Sequence, residues 1–344
     1  KYTLLMQSYQ TGARCILAAI CLVLGLGSCA AQIPVDTQFV DESDNHARVV
    51  DLAFVTNRRL VDTREGERYY SDKPGALSAG RCRVGFEEGS RRGEVLRVNT
   101  VAIESVIPPG DKGRVVVYIH GYGESFERNC RRGALLKDRL QLGDRLLLFS
   151  WPASNYLTYA QDIDDLAASL GQLNELLSEL LQHVDAEDIV LMAHSLGSRG
   201  LVDALRQRDE GESKFSEAVF VAPDIRRDVF MENVSMLQEK VSDITVYMSD
   251  NDRVLWISAT VNTSGRLGLA KEFDVDIDRI SVVDVTPTGT NDISGHMYHM
   301  FNPAVVEDLR VLFGVPLEGN SRKYGRVAMA TPGFWSLEPV THDK

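Results

Sequence analysis

Apolar residues along this chain fall into short continuous runs separated by longer stretches of helical period. From residue 114 onward the runs are RVVVYI (Arg114–Ile119), RLLLFS (Arg145–Ser150), Asp188–Ala193, Glu217–Ala222, Ile244–Met248 and Ile280–Val285. An unbroken apolar run of five or six residues predicts a strand buried on both faces. Between the runs lie helical patterns. The longest, Tyr159–Val184, places Ile163, Leu166, Leu170, Leu173, Leu177 and Leu180 on one face. A last helix is predicted over Asn302–Leu312, with Asn302 as its cap and Pro303 in the first position. Strands alternating with helices predict a parallel sheet covered on both sides, an α/β fold. Upstream, Arg48–Asn57 and Glu94–Ile107 read as strands of an antiparallel N-terminal edge, the second long enough to be broken, and polar Arg58–Gly80 reads as a loop. Glycine and proline scattered beyond Gly314 leave the packing of the tail undecided.

The junction after the third run carries the chemistry. Ile189–Met192 ends in Ala193-His194-Ser195-Leu196-Gly197, and a helical pattern runs on to Arg206. Strand, tight turn and helix with serine at the apex strain the serine backbone and hold Oγ beside the N–H groups of the new helix. Small residues are required where strand and helix approach. A serine before glycine is also an ordinary helix cap, so the remaining groups must come from elsewhere in the chain. Acyl transfer at serine needs a base, a carboxylate to orient the base, and N–H donors for the oxyanion. In a parallel sheet these come from the C-terminal ends of the strands.

After Ile119 comes His120-Gly121-Tyr122-Gly123, a turn whose backbone approaches a ligand closely. It supplies the Tyr122 N–H, with Leu196 N–H as second donor; Gly121 is a candidate substrate-binding residue and His120 is a brace. After Met248 comes SDNDRVL, in which Asp252 is the preferred acid and Asp250 its rival; Asp224, after the preceding strand, is another. After Val285 the loop reaches Gly295-His296-Met297-Tyr298-His299, where His296 is the expected base and His299 the alternative. Serine, aspartate, histidine is the chain order that this architecture uses. Trp151, Tyr156 and Tyr122 are candidates to line an acyl pocket. About 20 residues separate the fourth and fifth runs, enough for a single crossover helix, which predicts an open site without an inserted lid.

The segments VYIHGYGESF, FSWPA, AHSLGSR, APDI and GHMY, with VTNR at Val55–Arg58, resemble a bacterial α/β-hydrolase family of unknown function, from about Asp51 to about Leu312. The family pattern usually has Asn where Gly123 stands and often Met where Leu196 stands; neither change touches a triad side chain. The resemblance implies an α/β-hydrolase fold with Ser195 as nucleophile, Asp252 as acid and His296 as base. It implies no substrate.

Of the 344 residues, 49 are acidic and 37 basic, a net charge of −12. That balance argues against nucleic acid or an anionic bilayer as an electrostatic partner. The first 28 residues hold Lys1, Arg14 and no acid. The apolar run Cys15–Gly27 has the length of a signal-peptide core and is short of a membrane span. It ends in Leu26-Gly27-Ser28-Cys29-Ala30, similar to the lipobox of bacterial lipoproteins, which implies a lipid on Cys29 and outer-membrane sorting. A plain secretory signal is the alternative. The expected organisation is a signal peptide over 1–28, a lipidated tether over 29–45, a hydrolase domain over 46–314 and a tail over 315–344. Cys82 and Cys130 remain, either paired in an oxidising compartment or as two buried thiols. No CxxC or HExxH spacing points to a metal, and no cofactor is expected. These residues predict an envelope-anchored esterase for small ester substrates; the alternative is an inactive binding or scaffold module of the same fold.

Overall fold

The computed structural model describes residues 35–36, 46–62, 68–108, 113–153, 159–209, 211, 213–272, 279–317 and 322–340. The expected signal peptide, Cys29 and Tyr156 lie outside these residues. Among them, eleven strands form one sheet. The buried runs are β4 (Val115–Ile119), β5 (Leu146–Ser150), β6 (Ile189–His194), β7 (Phe215–Val221), β8 (Val241–Met248) and β9 (Ile280–Asp284). The N-terminal edge is β1 (Arg48–Asp62), β2 (Arg68–Phe86) and β3 (Gly93–Val101); the C-terminal edge is β10 (Tyr324–Ala328) and β11 (Phe334–Pro339). The order across the sheet is β10-β11-β9-β8-β7-β6-β4-β5-β1-β2-β3. From β11 to β1 every neighbouring pair is parallel, while β1–β2, β2–β3 and β10–β11 are antiparallel.

Period-two alternation along the buried strands sends side chains into two cores. Val115, Val117 and Ile119 face one side, where α2 (Tyr159–Ala168), α3 (Leu170–Leu180), α4 (Gly197–Arg206) and α5 (Arg227–Lys240) pack. Val116 and Tyr118 face the other, covered by α1 (Phe126–Leu140), α6 (Arg253–Asn262), the short α7 (Tyr298–Phe301) and α8 (Pro303–Leu312). Asn302 caps α8 by accepting the Ala304 N–H, as its sequence predicts. Cys82 on β2 and Cys130 on α1 are joined, their Cα atoms 5.8 Å apart.

Two expectations are corrected. Arg58–Gly80 is no loop: β1 runs on to Asp62 and pairs with β2. Register shifts around Arg58 break the alternation there, and backbone pairing carries a polar ribbon that apolar patterning does not mark. The long helix is two helices. At the junction Ser169 Oγ donates to the Asp165 carbonyl and accepts from Asn57 Nδ2, so the side chain competes with the helical ladder. Glu94–Ile107 ends as a strand at Val101 and continues as a 3₁₀ turn over Ile103–Ser105. The undecided tail joins the sheet, β11 running parallel to β9 from Phe334 opposite Val282.

Candidate active site

Ser195 stands between β6 and α4 with φ +53°, a region that a non-glycine residue enters only when its surroundings enforce it. Three backbone bonds enforce it. The Ser195 N–H donates to Val221 O at 3.0 Å, and its carbonyl accepts from Asp224 N–H and Ser198 N–H, each at 3.1 Å. Gly197 follows because nothing larger fits: a Cβ there would lie 2.4 Å from His120 O and 2.7 Å from Ile119 O. The loop after β4 therefore rests on the elbow, and a Cβ on Gly121 would lie 3.0 Å from the Ser195 Cβ. Gly121 thus borders Ser195, with Tyr122 next to it in the chain and Leu196 following the serine. The first N–H groups of a helix have no intrahelical acceptor, which suits Leu196 at the head of α4.

The expected acid and base, Asp252 and His296, meet beside this elbow. Asp252 is wholly buried and caps α6, its Oδ1 accepting the Leu255 N–H at 2.9 Å. Its Oδ2 lies 2.6 Å from His296 Nδ1. The two loops are tied together by Arg253 N–H to Ser294 O at 3.0 Å. Gly295, φ +67°, is required because a Cβ would lie 2.2 Å from Asn251 O. Asp292 braces the base loop by accepting from Ser294 N–H and Met297 N–H. His194, one residue before Ser195, holds its Nε2 3.2 Å from the His296 carbonyl, and the two rings are 4.7 Å apart. Burial on its own would lower the His296 imidazole. The Asp252 carboxylate outweighs it, helped by Asp224 and Asp292, and raises the imidazole above its ordinary range. Burial raises the Asp252 carboxyl, and His296 offsets this only in part.

The rival residues are engaged elsewhere. Asp224 accepts from Tyr159 OH at 2.8 Å, from Ser258 Oγ at 2.7 Å and from Arg266 Nε at 3.1 Å. Asp250 accepts the Lys271 N–H. His299 is fully buried, with Nε2 3.2 Å from Tyr118 OH and its ring 4.4 Å from that of His194. Burial chiefly, then His296, holds His299 well below the ordinary imidazole range. His120 stacks on Trp151 at 5.0 Å, and the Trp151 indole donates to His120 O at 2.9 Å, so His120 is the brace expected of it.

Two readings of the site change. Trp151 is completely buried, its ring on His120 and its N–H spent on backbone, so it supports the loop after β4 and lines no acyl pocket. The site is also closed rather than open: Ser195 is 1% exposed and His296 5%. The single crossover helix α5 is present as expected. Tyr122 packs edge-to-face on Tyr159 at 5.2 Å. The Ser195 hydroxyl has no hydrogen-bond partner among the described residues. The signal that pattern reading lacked is the buried Asp224–Arg266 pair, whose members are 42 positions apart and belong to no motif.

A family model described as "Alpha/beta hydrolase of unknown function (DUF900)" matches residues 98–314, more than half of the chain. The chain belongs to this family. Its fold is the α/β-hydrolase fold, with a mostly parallel sheet and antiparallel edges. Solved structures with some likeness to this hydrolase include a thermophilic carboxylesterase from a metagenomic library, at 13% identity over 89% of this chain and 97% of that one, TM-score 0.35. A hyperthermophilic esterase from the archaeon Pyrobaculum calidifontis is 12% identical over 91% and 92%, TM-score 0.36. An esterase/lipase from an uncultured bacterium is 10% identical over 87% and 96%, TM-score 0.38. No curated protein matches the hydrolase.

Proposed function

We propose that this hydrolase cleaves small carboxylic esters through a serine acyl-enzyme. Ser195 Oγ attacks the carbonyl carbon while His296 Nε2 takes the hydroxyl proton. Asp252 holds the other ring nitrogen and stabilises the imidazolium that forms. The carbonyl oxygen, now negative, receives the N–H groups of Tyr122 and Leu196. Collapse of the adduct expels the alkoxide, which takes the proton from His296. Water, deprotonated by the same imidazole, then releases the acid and returns the proton to Ser195. No cofactor or metal takes part.

The observation that carries this reading is the buried His296–Asp252 pair, 2.6 Å apart, with His296 against the residue that precedes a serine at positive φ. The enclosed Ser195 hydroxyl favours a second reading, a binding or scaffold module of the same fold. One experiment separates them. On the first reading the protein hydrolyses p-nitrophenyl butyrate and reacts with a fluorophosphonate probe, and Ser195→Ala keeps the fold and loses both. A wild type that neither turns over nor labels identifies the module. The reading also places the protein in the bacterial envelope, anchored through lipid on Cys29 after removal of residues 1–28. Among the described residues no helix is long and apolar enough to cross a membrane.

A further inference from the structure

The loop bearing Tyr122 is gripped at three consecutive backbone groups by charged side chains. Asp162, fully buried in the first turn of α2, accepts the Gly123 N–H at 2.8 Å. Arg128 donates to the Gly123 carbonyl at 3.0 Å. Arg58, 1% exposed, donates to the Glu124 carbonyl at 2.5 Å. Its other bonds reach Ala153 O and Ser150 Oγ, each at 3.1 Å, and Asp72 at 3.2 Å, so the end of β5 is held in the same grip. Glu124 itself pairs with Arg132.

Arg58 reaches this interior because β1 shifts register against β2 on both sides of it, which turns its side chain toward the loop. Burial lowers its guanidinium to about 10, opposed by Asp72, Asp162 and Asp165, so it stays charged at neutral pH. Buried ionic groups add little stability over well-packed apolar ones of similar volume. What they supply is direction. Gly123 sits at φ +67° and its peptide planes are otherwise soft. The plane holding the Gly123 N–H is the neighbour of the one that holds the Tyr122 N–H.

We infer that Asp162, Arg128 and Arg58 are positioning residues for acyl transfer, fixing the Tyr122–Glu124 backbone so that the Tyr122 N–H faces the oxyanion before substrate arrives. This role rests on the ester-hydrolase reading above. It accounts for VTNR, a motif remote from the nucleophile, and for a donor array that costs no reorganisation during the reaction.

The test compares wild type with Asp162→Ala, Asp162→Asn and Arg128→Met on p-nitrophenyl butyrate, with phenylboronic acid as a tetrahedral inhibitor. Removing the Gly123 anchor in Asp162→Ala lowers kcat by about 10- to 100-fold, below the loss for deleting a donor outright. KM stays within about threefold, because the interaction acts in the transition state. The boronate inhibition constant rises by the same factor as kcat falls. Asp162→Asn keeps an acceptor oxygen and restores most of the rate; Arg128→Met, which leaves the buried core untouched, falls between. The acid limb of the kcat/KM profile does not move, since His296 keeps its partner. Hydrogen exchange at the Gly123 amide, slow in wild type, accelerates in Asp162→Ala. A folded Asp162→Ala with wild-type kcat, or a loss carried by KM with boronate binding unchanged, overturns the role while the ester-hydrolase reading stands. A wild type whose turnover survives Ser195→Ala overturns that reading, and this role with it, whatever Gly123 exchange shows.

Discussion

Replacing Asp252 by asparagine separates two contributions that one side chain makes. Oδ1 caps α6 through the Leu255 N–H at 2.9 Å, and Oδ2 meets His296 Nδ1 at 2.6 Å. Asparagine caps a helix about as well as aspartate, so Asp252→Asn keeps the fold. The amide has no charge, and its NH₂ group, turned toward the ring, favours a proton on Nε2, where the base must be free. In a triad of this kind the wrong tautomer lowers kcat by about 10⁴, which is roughly 5 kcal/mol of barrier. The pH profile gives a second reading of the same change. His296 is raised because Asp252 outweighs its burial. Without the carboxylate the imidazole falls, and a base must be neutral to accept a proton. The acid limb of kcat/KM therefore moves to lower pH as the maximum drops. Asp252→Ala differs in stability: it loses a cap of about 1 kcal/mol and leaves a buried ring N–H unpaired at about 1–3 kcal/mol more. Steady-state kinetics from pH 5 to 9 and thermal melts of the three proteins decide the matter. An asparagine variant within about tenfold of wild-type kcat, with its acid limb unmoved, refutes the assignment, and Asp224 and Asp250 become the candidates.

Acid should destabilise the fold before carboxylates titrate. Burial holds His120, His194 and His299 well below 6.5 in the folded chain. The unfolded chain therefore binds more protons below that pH, and stability falls by up to about 1.4 kcal/mol per pH unit for each of the three. His296 is shifted the other way, so its contribution is complete below 6.5 and is lost only as pH rises. Melting temperatures that stay flat from pH 7 to 5 would contradict this. Reducing the Cys82–Cys130 bond, which spans 48 positions, removes about 4 kcal/mol on the chain-entropy estimate; an unchanged urea midpoint with and without reductant would count against it. Cys29→Ser should leave an unanchored or unprocessed precursor, and wild-type membrane fractionation of that variant would defeat the lipid anchor.

The hydropathy pattern was sufficient for the centre of the sheet. Strands β4 to β7 and the Ile244–Met248 part of β8 are buried on both faces, and an apolar run of that length has few other solutions in water. The meeting of Asp252 and His296 was legible for a related reason: each follows a strand of the parallel sheet, and parallel strands deliver the residues that follow them to one rim. Apolar content could not reveal β2 or β10, whose half-exposed residues are held by backbone pairing that leaves little mark on side-chain choice. Nor could it reveal the break at Ser169, which a hydrogen bond from distant Asn57 accompanies. Sequence preferred Asp252 but left Asp250 and Asp224 open, because all three follow strand ends; distance decides between them, the first lying 2.6 Å from an imidazole. The closure over Ser195, the burial of Trp151 and the inward turn of Arg58 belong to the tertiary structure as well. Each depends on which remote segments come together, and local residue chemistry carries no record of that.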